Sequence, residues 1–218
     1  MGKYLQTLWA VLGGILLIAS NTGSFAAGSA ASGQTKAAAC MGCHGPDGNS
    51  PADMWPKLAG QMPEYIVKQL RDFKSGHRQN EQMSPMAQPL AEQDMADLAA
   101  YFSGQKVKPG EGKKELLAQG EKLFNKGRPQ PGVVIACVGC HGLGGSGNRN
   151  WSKAFSNIPT VLAPAIGGQH PAYVAKQLKA FRDKERSNDV ASTMRNIAAR
   201  LDDKEIAAVA EYVATLSY

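Results

Sequence analysis

Two tandem all-α domains of roughly a hundred residues each are the fold this 218-residue chain predicts. Three observations carry it. Apolar residues recur at intervals of three and four, and strand-like alternation is absent. The second half of the chain repeats the first. The four cysteines are confined to two copies of one pattern, Cys40-Met41-Gly42-Cys43-His44 and Cys137-Val138-Gly139-Cys140-His141. Hydrophobic content of 43% with only 19% charged residues excludes wholesale disorder, and 24 glycines and 12 prolines imply short elements joined by many loops.

Taken in order, the chain starts with Lys3 as the one charge ahead of an apolar run from Tyr4 to Ala19, followed by Ser24-Phe25-Ala26. A positive start, an apolar stretch and a small-x-small site describe a secretory signal peptide over 1–26, cleaved after Ala26. The run is shorter than the roughly 20 residues a spanning helix needs, and two glycines interrupt it, which argues against an anchor. Export to the periplasm is therefore expected.

The repeat fixes the rest. Pro56 to Gln61 matches Pro164 to Gln169, and Pro63-Glu64-Tyr65-Ile66-Val67-Lys68-Gln69-Leu70 matches Pro171-Ala172-Tyr173-Val174-Ala175-Lys176-Gln177-Leu178, both at an offset of 108. The offset is 97 at the cysteine motifs and 111 at the pairs Met83/Met194, Leu90/Leu201 and Tyr101/Tyr212, so the second copy carries insertions after its motif and before its methionine. This divides the mature chain into an N-terminal domain, 27–103, a Gly- and Lys-rich linker with little to bury, 104–114, and a C-terminal domain, 115–218. Pro63 and Pro171 are first-turn residues of helices whose inner faces are Ile66, Leu70, Phe73 and Val174, Leu178, Phe181. Met95, Leu98, Ala99, Phe102 and Ile206, Val209, Ala210, Val213 mark the last helix of each copy, with Asp202 and Glu205 as a capping pair. Leu116, Leu117, Leu123 and Phe124 mark a helix before the second motif.

Two cysteines three apart on a helical turn can each form a thioether with a haem vinyl group, and the next histidine then faces the iron. Two such motifs, using every cysteine, predict two covalently attached c-type haems held by Cys40, Cys43, Cys137 and Cys140, with His44 and His141 as iron ligands. A four-cysteine zinc site would need pairs 12 to 20 residues apart rather than 97, and a thioredoxin-like redox pair lacks the strands around it. Domains this small usually need such a staple.

The second axial ligand decides between electron transfer and catalysis, because an iron closed on both faces carries electrons. Met194 is the one methionine after His141 and falls on Met83 in the repeat; Met86 falls on Ile197 and is disfavoured. His170 falls on Met62, so it and His77 read as surface or packing residues. The carbonyls of Pro56 and Pro164 are candidates to hold the histidine rings from behind. Gly142-Leu143-Gly144-Gly145-Ser146-Gly147 imitates a dinucleotide loop, but no strand precedes it. It reads as a flexible part of an insertion whose Trp151 and Phe155 would cover a haem edge.

The motifs, the Gly45-Pro46-Asp47-Gly48-Asn49-Ser50 turn, Pro56 to Gln61, Met83 to Leu90, and Gly168-Gln169-His170 with Tyr173 to Leu178 together resemble the dihaem cytochrome c4 family. The resemblance implies two class I cytochrome c domains about a pseudo-twofold axis, with propionates near their interface, His/Met ligation through Met83 and Met194, and electron transport between respiratory complexes. The long glycine-rich insertion after His141 departs from the family.

Net charge is +6 and the pI about 9.1. Residues 27–106 hold seven basic and eight acidic side chains and residues 107–218 sixteen and ten, so the positive end is the second domain. Such a face steers docking onto an acidic protein or an anionic lipid surface. Export and the lack of an aromatic–basic cluster argue against nucleic acid as the partner. The expectation is an electron carrier and not an enzyme, with redox proteins, including a membrane-bound oxidase or reductase, as partners and no small-molecule substrate. The alternatives are the haem subunit of a flavocytochrome dehydrogenase and a dihaem peroxidase.

Overall fold

A computed structural model of the protein describes residues 27–148 and 162–218. The expected signal peptide and the expected haem cover by Trp151 and Phe155 lie outside them. Helices α1 (Ala30–Lys36), α2 (Ala38–His44), α3 (Pro63–Ser75), α4 (Met83–Ala87) and α5 (Glu92–Ser103) build the first half; α6 (Lys114–Lys126), α7 (Val138–His141), α8 (Pro171–Arg182), α9 (Thr193–Ala198) and α10 (Asp203–Thr215) build the second. Among the described residues there is no strand, only the isolated bridges Arg128–Val134 and Asn148–Ala163.

Local chemistry sets the helix ends. Pro63 and Pro171 open α3 and α8, where the missing N–H costs no bond. The Asp202 carboxylate accepts the Glu205 N–H at 2.8 Å while Glu205 accepts the Asp202 N–H at 3.1 Å, which starts α10. The predicted inner faces of α5 and α10 are fully buried: Met95, Leu98, Ala99 and Phe102 in one, Ile206, Val209, Ala210 and Val213 in the other.

In each half the first helix crosses the last, α1 on α5 and α6 on α10. Glycine makes the crossing possible. A Cβ on Gly33 would lie 2.0 Å from the Asp97 carbonyl oxygen, and one on Gly120 would lie 2.1 Å from that of Ala208. Asp97 and Ala208 are repeat equivalents at the offset of 111, so the two glycines do the same job. They stand 7 and 17 residues ahead of the first cysteine of their motifs. The second half therefore has a ten-residue excursion before α7, closed by the paired Arg128 and Val134 backbones (2.7 and 2.9 Å).

Two expectations about loops need correction. The run Gly142–Gly147 is not a flexible insertion: Gly145 O accepts from the N–H groups of Ile166 and Gly167 (2.8 and 3.1 Å), as Gly48 O accepts from those of Leu58 and Ala59 (2.7 and 3.1 Å). The inserted residues therefore lie beyond Gly145. The segment between the halves also has something to bury, since Val107 is in the core and Lys108 is pinned by Asn49 (2.8 Å) and Asp47 (2.8 Å).

The halves meet through a network with twofold character. Arg186 donates to Tyr65 Oη (2.9 Å) and Gln69 Oε1 (3.0 Å) of the first half and to Gln177 Oε1 (2.8 Å) of its own. Its repeat equivalent Arg78 donates to Tyr173 Oη (3.2 Å) and Gln177 Oε1 (2.9 Å) of the second half and to Gln69 Oε1 (2.7 Å) of its own. The guanidinium groups lie over Phe181 and Phe73, 4.5 and 4.6 Å from the ring centroids. Beside them the Gln169 amide pairs with both backbone groups of Lys57 (2.8 and 2.9 Å), and the Gln61 amide pairs with both of Ala165 (2.8 and 3.0 Å).

Candidate metal centres

Each cysteine motif is wound into a single helical turn that ends on its histidine, with Cys40 and Cys43 in α2 and Cys137 and Cys140 at α7. All four thiols are free and half-buried. Burial raises the pKa of Cys40 and Cys140 and pushes Cys137 up to about 11. Among the described residues no group of three or more His, Cys, Asp or Glu converges on one point.

His44 and His141 are buried, 5% and 8% exposed. Nδ1 of His44 meets the Pro56 carbonyl at 2.8 Å and Nδ1 of His141 meets the Pro164 carbonyl at 2.8 Å. A carbonyl can only accept, so the ring proton sits on Nδ1 and Nε2 keeps a lone pair. Nε2 has no hydrogen-bond partner among the described residues in either ring. Burial lowers the pKa of both rings more than the carbonyls raise it, which keeps them neutral. A neutral imidazole with an oriented free nitrogen is what an iron ligand requires.

Beside each turn stands an apolar wall. Cys40 packs on the first core together with Leu58, Val67, Leu70 and Leu90, and Cys137 packs on the second together with Ile166, Val174, Leu178 and Ile197. Two thiols one turn apart, a free imidazole nitrogen and a half-buried apolar wall fit a covalently attached porphyrin in each half.

Met83 opens α4, which packs on α3, and Met194 lies in α9, which packs on α8; both are half-buried. Met86 is 44% exposed, while its equivalent Ile197 joins the second core. The Met83 N–H is held by Asn80 Oδ1 at 2.9 Å. Ahead of Met194 the chain absorbs its three extra residues with Ala191 and Ser192 at φ of 52° and 55°, a left-handed conformation costly for side-chain-bearing residues. The two remaining histidines are spent elsewhere: His170 Nε2 bonds Ser50 O across the interface at 3.0 Å, and exposed His77 pairs with Ser75 Oγ at 2.9 Å.

The residues that lock the halves, Gln61, Gln169, Arg78 and Arg186, were not candidates in the sequence. The available signal was that these polar identities recur at an offset of 108.

The profile of the family described as Cytochrome c matches residues 30–106 and again 117–217. Cytochrome c4 of Pseudomonas aeruginosa is 47% identical over 201 residues, 91% of this chain and 94% of the relative. A thiosulfate dehydrogenase electron acceptor of Thiomonas intermedia is 38% identical over 187 residues, 82% of this chain and 79% of the relative. Among solved structures, reduced recombinant cytochrome c4 from Pseudomonas stutzeri superposes with a TM-score of 0.78 at 45% identity, over 87% of this chain and 100% of that one.

Proposed function

This chain belongs to the cytochrome c4 family, a dihaem electron-transfer protein and not an enzyme, and from that premise we propose that it carries electrons through the periplasm between a donor and a membrane-bound acceptor. The observation that carries the reading is the turn written twice, in which the histidine Nδ1 is tied to a proline carbonyl and Nε2 is left to ligate. Each haem, when bound, takes up and releases one electron at its iron. Cys40 and Cys43 hold one and Cys137 and Cys140 the other. His44 with Met83, and His141 with Met194, would hold the two irons, a ligand set that favours electron transfer over peroxide binding. Pro56 and Pro164 fix the imidazoles.

In this reading residues 1–26 direct export and are cleaved after Ala26, residues 27–103 and 115–218 are the haem domains, and 104–114 connects them. The donor is a cytochrome bc complex or a substrate-oxidising protein, and the acceptor a terminal oxidase. The likeness to a thiosulfate dehydrogenase electron acceptor supports a second arrangement, with the chain receiving electrons from a dehydrogenase as its dedicated partner. Copurification separates the two arrangements, since a dedicated subunit stays with its dehydrogenase.

Spectroscopy tests the ligand assignment. The oxidised protein should show two haems per chain and a long-wavelength methionine–iron band that Met83→Ala and Met194→Ala each reduce by about half and together abolish. A band unchanged in either single variant overturns that ligand.

A further inference from the structure

The two hydrogen-bonding systems described above share atoms. The carbonyl that holds His44 belongs to the peptide group joining Pro56 to Lys57, and the N–H of that same peptide donates to Gln169 Oε1 of the other half at 2.8 Å. The arrangement repeats across the interface. The Pro164 carbonyl holds His141, and the N–H of the Pro164–Ala165 peptide donates to Gln61 Oε1 of the first half at 3.0 Å. Each histidine is thus one peptide group away from a glutamine of the opposite half.

The glutamines are not free to swing. Gln169 Oε1 also accepts the His170 N–H at 3.1 Å while its Nε2 donates to Lys57 O at 2.9 Å. Gln61 Oε1 likewise accepts the Met62 N–H at 3.0 Å while its Nε2 donates to Ala165 O at 2.8 Å. These contacts fix which end of each amide is oxygen. Gln169 and Lys57 are both buried, so water does not compete for the bond.

A peptide group is conjugated, so hydrogen bonding at its N–H draws charge onto its carbonyl oxygen and makes that oxygen a stronger acceptor. A stronger acceptor pulls harder on the imidazole Nδ1–H, makes Nε2 more basic and stabilises the oxidised iron relative to the reduced. We propose that Gln169 and Gln61 are positioning residues that tune the axial histidine of the opposite half, Gln169 acting on His44 through the Pro56–Lys57 peptide and Gln61 on His141 through the Pro164–Ala165 peptide. The proposal rests on His44 and His141 being the iron ligands. It makes docking of the halves part of the setting of each potential.

The test uses the full-length dihaem protein, with the two haems told apart by their NMR-resolved methyl groups during a redox titration. Gln169→Met keeps the side-chain length and removes the acceptor. It should raise the potential of the N-terminal haem by a two- to fourfold change in its reduction equilibrium, about 18 to 36 mV at 59 mV per tenfold, and move the His44 Nδ1–H resonance, while the C-terminal haem shifts by less than half as much. Gln61→Met should do the reverse. Gln169→Glu, which still offers an oxygen to the Lys57 N–H, should leave the N-terminal potential at or below that of the wild type.

A shift on the haem of the substituted half, equal shifts on both haems, or a Glu variant that behaves like the Met variant overturns the proposal. So does an Arg186→Met variant that reproduces the Gln169→Met pattern, because the cause is then loosened docking. The wild-type spectra are read first. If they lack two histidine-ligated haems, the ligand assignment itself falls; if they show them and no crossed shift follows, only this inference does.

Discussion

Asp97 lies buried where α1 crosses α5, ringed by donors: Lys36 Nζ at 2.6 Å, the Ser29 N–H at 2.8 Å and Gln93 Nε2 at 2.9 Å. The lysine first, then the backbone N–H, hold its carboxyl down to about 2 from an ordinary 3.8. A depressed carboxylate stabilises the fold above its unfolded pKa, and the contribution fades as pH falls through the folded one. Asp97→Asn should therefore lower stability at neutral pH and flatten its decline between about pH 4 and pH 2, measured by denaturant titration at stepped pH. An acid limb as steep as that of the wild type would refute this assignment. The cysteines and histidines stood out at this scale because attachment chemistry demands that spacing, and Met194 became a candidate because one half has no other methionine after its motif. Gln61 and Gln169 were not, since their partners are backbone groups of the other half and leave no mark of residue type.

Helices were the most legible elements, because burial of one face imposes the three-and-four spacing seen in α3, α5, α8 and α10. The loops were not. A glycine-rich run such as Gly142–Gly147 reads alike whether it is slack or, as here, folded tightly so that Gly145 can bond Ile166 and Gly167. The excursion over residues 127–136 escaped notice because the repeat has no counterpart for it. The crossings of α1 with α5 and of α6 with α10 are the elements most sensitive to a single methyl group. Gly33→Ala and Gly120→Ala each place a Cβ about 2 Å from a carbonyl oxygen, and overpacking of that kind costs about 1–3 kcal/mol. Thermal unfolding of the two variants should show comparable losses. Alanine at a half-open glycine such as Gly76, where nothing lies within 4 Å of the added carbon, meets no such clash, only the strain of its left-handed backbone.

Over the whole molecule, the pairing of halves depends on two arginines answered by the opposite half. Arg186 is 8% exposed and donates to four side chains, Tyr65, Gln69, Gln177 and Asn188. A bond to a charged donor is worth about 1.5–3 kcal/mol. Arg186→Leu should loosen the docking, seen as a larger radius of gyration in solution scattering and faster proteolysis within 104–114; an unchanged radius and cleavage rate would show that the remaining contacts suffice. The twofold character of this surface has a consequence of its own. Each half presents the donors and acceptors that the other presents, so the contact has the self-complementary form found between identical subunits. Placing both copies on one chain makes their association intramolecular, at an effective concentration on the order of millimolar for a short tether. The two halves therefore stay paired however dilute the protein becomes.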